Sequence, residues 1–170
     1  MAAARLPRDG ADGLVRLAAS SPLRADADTL AVAIADATLP LLADEVRGED
    51  GRRRFAVDLR LRVGAPGAGL ATFRKAAFLD LARPERTADG WEVEVGWRAS
   101  TAAPLFPVFS GRLAIEAGEL RLDGLYAPPG GAVGRVADRM LLHVAANGTA
   151  RWLLDQLAAE AQAAGGATDG

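Results

Sequence analysis

Four stretches between residues 53 and 126 alternate apolar and polar side chains, and this alternation constrains the fold more than anything else in the chain. Phe55, Val57, Leu59, Leu61 and Val63 alternate with Ala56, Asp58, Arg60 and Arg62. A period of two places successive side chains on opposite faces, so each run is a strand with one buried and one wet face. Trp91, Val93, Val95 and Trp97 repeat the pattern against Glu92, Glu94 and Arg98. Phe109, Gly111, Leu113 and Ile115 follow, then Leu120, Leu122, Gly124 and Tyr126, with Ala117-Gly118-Glu119 as the tight turn between them. Residues 71–82 fit either a helix, through Phe73, Ala77 and Leu81, or a strand that adds Leu79. The neighbouring strands favour the strand, although Phe78 and Lys75 break its parity. Turns at 64–69 (GAPGAG) and 87–90 keep the connections short, which makes the sheet antiparallel.

Helical signals flank this series. Residues 14–23 read as a first strand, and Asp26 or Asp28 can cap a helix beginning near Thr29, because a short carboxylate accepts from free first-turn amides. Leu30, Ile34 and Ala37 share one face of it. Pro40 kinks or splits that helix, leaving one bent helix or two short ones. Residues 132–162 contain no proline and read as one long helix. Val133, Val136, Ala137, Met140, Val144, Ala145, Gly148 and Trp152 form its apolar band, against a polar row of Arg135, Arg139, His143, Asn147, Arg151 and Asp155. Gly148 costs about 1 kcal/mol inside a helix, which close approach to something bulky would offset. Residues 1–10 and the tail from Gly165 are expected to be disordered, leaving 11–164 as a single domain. The predicted class is α+β, a curved antiparallel sheet wrapped around a long C-terminal helix, with room for a cavity between them.

Composition narrows the chemistry. A net charge of −2 gives no basic field for nucleic acid. The absence of cysteine removes disulfides, thiolate metal sites and a cysteine nucleophile. His143 is the only histidine, so two-His metal motifs are impossible and neither a metal nor a cofactor is expected. Lys75 is the only lysine among 20 basic residues, which together with abundant alanine suggests a GC-rich bacterial genome. No segment reads as a signal peptide. The longest apolar candidate, residues 30–43, is broken by Asp36 and Pro40 and falls short of the roughly 18 residues of a membrane helix. No membrane insertion and a cytoplasmic location follow as expectations, with the oligomeric state open.

The stretch RLDGLYAPPGGAVGRVADR (121–139) places a Gly-rich turn between a strand and a helix, as phosphate loops do. Those loops need a parallel strand-helix-strand unit and G-x-G-x-x-G or a Lys-Ser/Thr pair, and neither is present. Pro128-Pro129 instead ends the strand and Gly130-Gly131 permits the turn into the helix. His143 titrates near neutrality and can act as a general base, but its place on the polar row beside Arg139 and Asn147 favours a solvated residue. Asp138 and Arg139 read as partners for loops or strand ends. Asp58, Glu92, Glu94 and Asp123 fall on the wet faces, Ser110 and Thr101 have no base beside them in sequence, and no carboxylate pair reads as buried.

The order of elements, with LFPVFSGRLAIE (105–116) and the 121–139 segment, resembles the START/birch-pollen-allergen-like (SRPBCC) superfamily and its helix-grip fold. The residues carrying the resemblance are Leu105-Phe106-Pro107, the apolar strand 108–115 and Gly124-Leu125-Tyr126-Ala127-Pro128-Pro129, as in uncharacterised bacterial members. The similarity spans roughly residues 53–160. It implies a hydrophobic ligand, such as a lipid, isoprenoid or polyketide, in a cavity under the last helix. The expected lining is Phe55, Leu59, Trp97, Phe109, Leu113, Leu122, Tyr126, Met140 and Val144. Because the superfamily includes carriers, cyclases, hydroxylase domains and co-chaperones, it does not fix an activity. A polyketide cyclase- or hydrolase-like enzyme using Tyr126 or His143, or a co-chaperone-type interaction module, are the alternatives to a non-enzymatic binding protein.

Overall fold

Each alternating run forms a strand of one sheet. The computed structural model describes residues 14–48, 51–65, 68–100, 108–127 and 136–166, the side chains of 61–73, 75 and 136–145 excepted. In chain order the elements are β1 (Val15–Pro22), α1 (Ala27–Ala35), a 3-10 turn (Pro40–Leu42), β2 (Glu45–Val46), β3 (Arg53–Ala65), β4 (Ala68–Leu81), β5 (Glu85–Arg86), β6 (Gly90–Ala99), β7 (Val108–Glu116), β8 (Glu119–Ala127) and α2 (Val136–Gly166). The sheet runs β1-β8-β7-β6-β4-β3-β2, every pairing antiparallel, with β5 attached to β6. This is a helix-grip α+β fold: α2 packs against β1 and β8 on one side of the curved sheet and β3 on the other.

Residues 71–81 belong to β4, which ends at Leu81. Ala77, Leu79 and Leu81 are buried with the core. Phe78, which broke the parity, turns to the outer face, where the guanidinium groups of Arg54 and Arg98 lie 5.6 and 5.8 Å from its ring centre. The Ala117-Gly118 turn joins β7 to β8, with Gly118 at φ 89°, a left-handed conformation that glycine adopts without steric cost.

Asp26, and not Asp28, caps α1, its carboxylate accepting from the Thr29 amide at 2.9 Å. Asp28 is engaged with two strands, accepting from Trp91 Nε1 of β6 at 2.7 Å and pairing with Arg86 of β5. The Trp91 bond, with Arg86 beside it, holds the Asp28 carboxyl below the usual carboxylate range. The helix ends before Pro40 is reached. The Thr38 amide donates to Ala33 O and the Ala37 amide to Ile34 O, the paired closure of a Schellman motif, with Ala37 at φ 50°. Pro40 then opens the 3-10 turn, where its missing N–H costs nothing.

Within the described part of α2, Ala146, Thr149, Ala150, Leu153, Leu154, Leu157 and Ala161 are buried. Their spacing of three and four traces one helical face. It differs from the expected band, because Gly148 and Trp152 are only half-buried. Alanine and glycine occur all round this helix, so composition could not choose its inner face, and the three leucines do. Polar contacts fix the same half. Ser21 Oγ donates to Asp155 Oδ1 at 2.6 Å, and the Leu41 amide donates to Glu160 Oε2 at 2.9 Å. Among the described residues, no helix is long and apolar enough to cross a membrane.

Candidate functional site

Strand register assembles the site. On the concave face, Phe55 of β3 lies opposite Leu79 of β4, Leu79 opposite Trp97 of β6, Trp97 opposite Phe109 of β7, and Phe109 opposite Tyr126 of β8. Val15 of β1 completes the rung beyond Tyr126. Four of the expected lining residues thus stand side by side across the sheet, and all four are at most 1% exposed. The Trp97 and Phe109 rings stack with centroids 4.0 Å apart and planes 15° from parallel.

A glycine pair makes room for this stack. Gly111 and Gly124 face each other across β7 and β8, one rung from Phe109 and Tyr126. A methyl group on Gly111 would come within 2.6 Å of Phe109 Cζ and 2.3 Å of the Asp123 carbonyl oxygen. On Gly124 it would meet Phe109 Cζ at 2.7 Å and the Ser110 carbonyl oxygen at 2.5 Å. The Phe109 ring therefore lies over bare backbone. The sequence contains this signal, since both glycines stand five residues outside the paired positions Glu116 and Glu119 that flank the turn.

The rest of the expected lining divides. Leu59 is buried on the same face of β3. Leu113 and Leu122 lie two rungs from Trp97 and Tyr126 and pack beneath Leu153, Leu154 and Leu157. The space left there is about 10 Å³, enclosed by those residues with Ile34, Leu79, Leu81 and Val95. That is at most one water's room, with apolar walls, so this half of the interior is packed core. The side chains of Met140, Val144 and His143 lie outside the described residues, as do Leu105-Phe106-Pro107 and the 128–131 turn.

Two polar features mark the aromatic rung. Burial raises the Tyr126 phenol above the ordinary tyrosine value, because a low-dielectric surrounding disfavours the phenolate. The indole N–H of Trp97 is buried with no hydrogen-bond acceptor among the described residues. Indole N–H groups normally find a partner when buried, and an unmet buried donor costs about 1–3 kcal/mol. Sequence could place Trp97 in the core but could not show that its nitrogen lacks a partner.

The outer face carries a buried ion pair that the sequence reading did not expect. Arg54 and Asp80 are directly opposed on β3 and β4 and joined by bonds of 2.6 and 3.1 Å, with both side chains under 10% exposed. A surface groove of about 950 Å³ also lies across β7, β8 and β1, lined by Ser20, Ser110, Arg112, Arg121, Asp123 and Leu125 among others. Arg112 pairs with Glu92 at 3.4 Å and Arg121 with Glu116, so these cations are already neutralised. Among the described residues no cluster of three or more His, Cys, Asp or Glu could hold a metal ion.

No protein-family model matches the chain, and no curated protein matches it. Among solved structures it is similar to the di-domain ARO/CYC StfQ from the steffimycin biosynthetic pathway, at 14% identity and a TM-score of 0.45, over 90% of this chain and 52% of that one. The chain therefore spans about half the length of StfQ. It is also similar to a hypothetical protein from Helicobacter pylori, at 14% identity and a TM-score of 0.43, over 94% of this chain and 96% of the other.

Proposed function

We propose that the protein binds a hydrophobic small molecule, of lipid, isoprenoid or polyketide type, between the aromatic rung and α2. The observation that carries this reading is the rung itself, Phe55-Leu79-Trp97-Phe109-Tyr126, with a buried indole N–H that has no acceptor among the described residues. Buried polar groups are paired in the large majority of cases, so an unmet donor on an apolar, aromatic rung supports a ligand acceptor there. Ligand sites combine apolar walls with a few polar points that set orientation, and the Trp97 N–H supplies such a point. The tight packing under Leu153, Leu154 and Leu157 leaves no space for a ligand there, so the proposed site lies at the rung's end of the interior.

Native mass spectrometry of the purified protein, followed by organic extraction, tests the reading. A co-purifying apolar molecule near one per chain is the expected result. An empty protein whose thermal stability ignores a panel of lipids and aromatic polyketides would overturn it.

A further inference from the structure

Resting on that reading, we infer that Trp97 selects the ligand through its indole N–H, and that the ligand carries a neutral oxygen acceptor, a ketone, quinone or ester carbonyl, on an otherwise apolar skeleton. Trp97 is 0% exposed and Nε1 has no acceptor among the described residues. An N–H group can be satisfied only by an acceptor, so a ligand donor or a bare hydrocarbon leaves the deficit in place. The charge environment argues for a neutral group. The rung of Trp97 and the rungs on either side hold Val57, Ala77, Ala99, Leu81, Val95 and Leu17 with the glycine pair, and their one carboxylate among the described residues is Glu45, exposed at the far end of the rung opposite Phe55. Their one described cation, Arg53, is held by Glu45 and by the Ala35 carbonyl oxygen. Among the described residues of these rungs a carboxylate ligand at Trp97 would therefore find no free cation, and a buried unpaired charge is strongly unfavourable. The stacking of Trp97 on Phe109 fixes the indole plane, so its N–H direction is set before a ligand arrives.

The test uses two probes of one shape, fluorene and 9-fluorenone, which differ by the carbonyl. Dissociation constants are measured by calorimetry for the wild-type chain and for Trp97→Phe, which keeps an aromatic ring and loses the donor. The expected result is that wild type prefers the ketone by about tenfold, the equivalent of about 1.4 kcal/mol, and that Trp97→Phe binds both alike. The Trp97 indole proton of the wild type should move downfield with fluorenone and stay with fluorene, a readout that stands even if the variant does not fold. Equal affinities in the wild type, or a preference that survives Trp97→Phe, would overturn the assignment to Trp97 and leave the binding reading standing. If neither probe binds, the pocket and this assignment fall together.

Discussion

Tyr126 is the chain's only tyrosine, so its titration can be followed by phenolate absorbance without interference from a second phenol. Burial raises its pKa, and the midpoint in the folded protein should lie above the roughly 10 of an exposed tyrosine, returning there in urea. The sign of the stability effect follows. As pH rises past the unfolded value, the unfolded chain loses this proton first, so stability declines until the folded phenol also ionises. Tyr126→Phe should flatten that alkaline decline in urea titrations at increasing pH. Near Tyr126, the glycine pair gives a steric prediction. Gly111→Ala should destabilise by about 1–3 kcal/mol, the usual cost of overpacking, because its methyl meets the Asp123 backbone as well as Phe109. On the outer face, Asp80→Ala should cost about 3–5 kcal/mol by leaving Arg54 buried without this carboxylate, whereas replacing both residues with apolar ones should recover most of the loss. Chemical denaturation of the two single variants and the double variant reads this out.

At the scale of elements, the two helices show what governs legibility. The start of α1 was readable because Asp26 and Thr29 stand at capping distance in sequence. Its end was not, because it closes on Ala37 in a left-handed conformation that alanine adopts at a cost of about 1–2 kcal/mol. Ala37→Gly should raise stability by about 0.5–1 kcal/mol after glycine's larger unfolded-state entropy is deducted, measured as a rise in the urea midpoint at constant slope. For α2, length and the absence of proline were legible, but its inner face was not. That face is selected where Leu153, Leu154 and Leu157 meet Leu113 and Leu122. The strands were the most legible elements, since a period of two leaves only one face to bury, and even the odd Phe78 found its partners on the other side.

For the whole molecule, closure depends on the chain's two ends. β1, near the N-terminus, pairs along its full length with β8, more than 100 residues later, and Ser21 ties it to α2 through Asp155. Removing residues 1–22 should therefore leave a chain without a cooperative thermal transition, since Leu17 leaves the core and β8 loses its neighbour. Sequence alone determined the long alternating strands, the antiparallel sheet and the long last helix, because those rest on local periodicity and turn chemistry, whereas the two-residue strands β2 and β5 carry no such pattern. Register across five strands brought Phe55, Trp97, Phe109 and Tyr126 into one rung, something no local pattern encodes. Only tertiary structure left the Trp97 N–H without an acceptor among the described residues, paired Arg54 with Asp80 and filled the space beneath Leu157, because hydrogen-bond satisfaction and residual volume depend on groups far apart in sequence that meet only once the sheet has closed around α2.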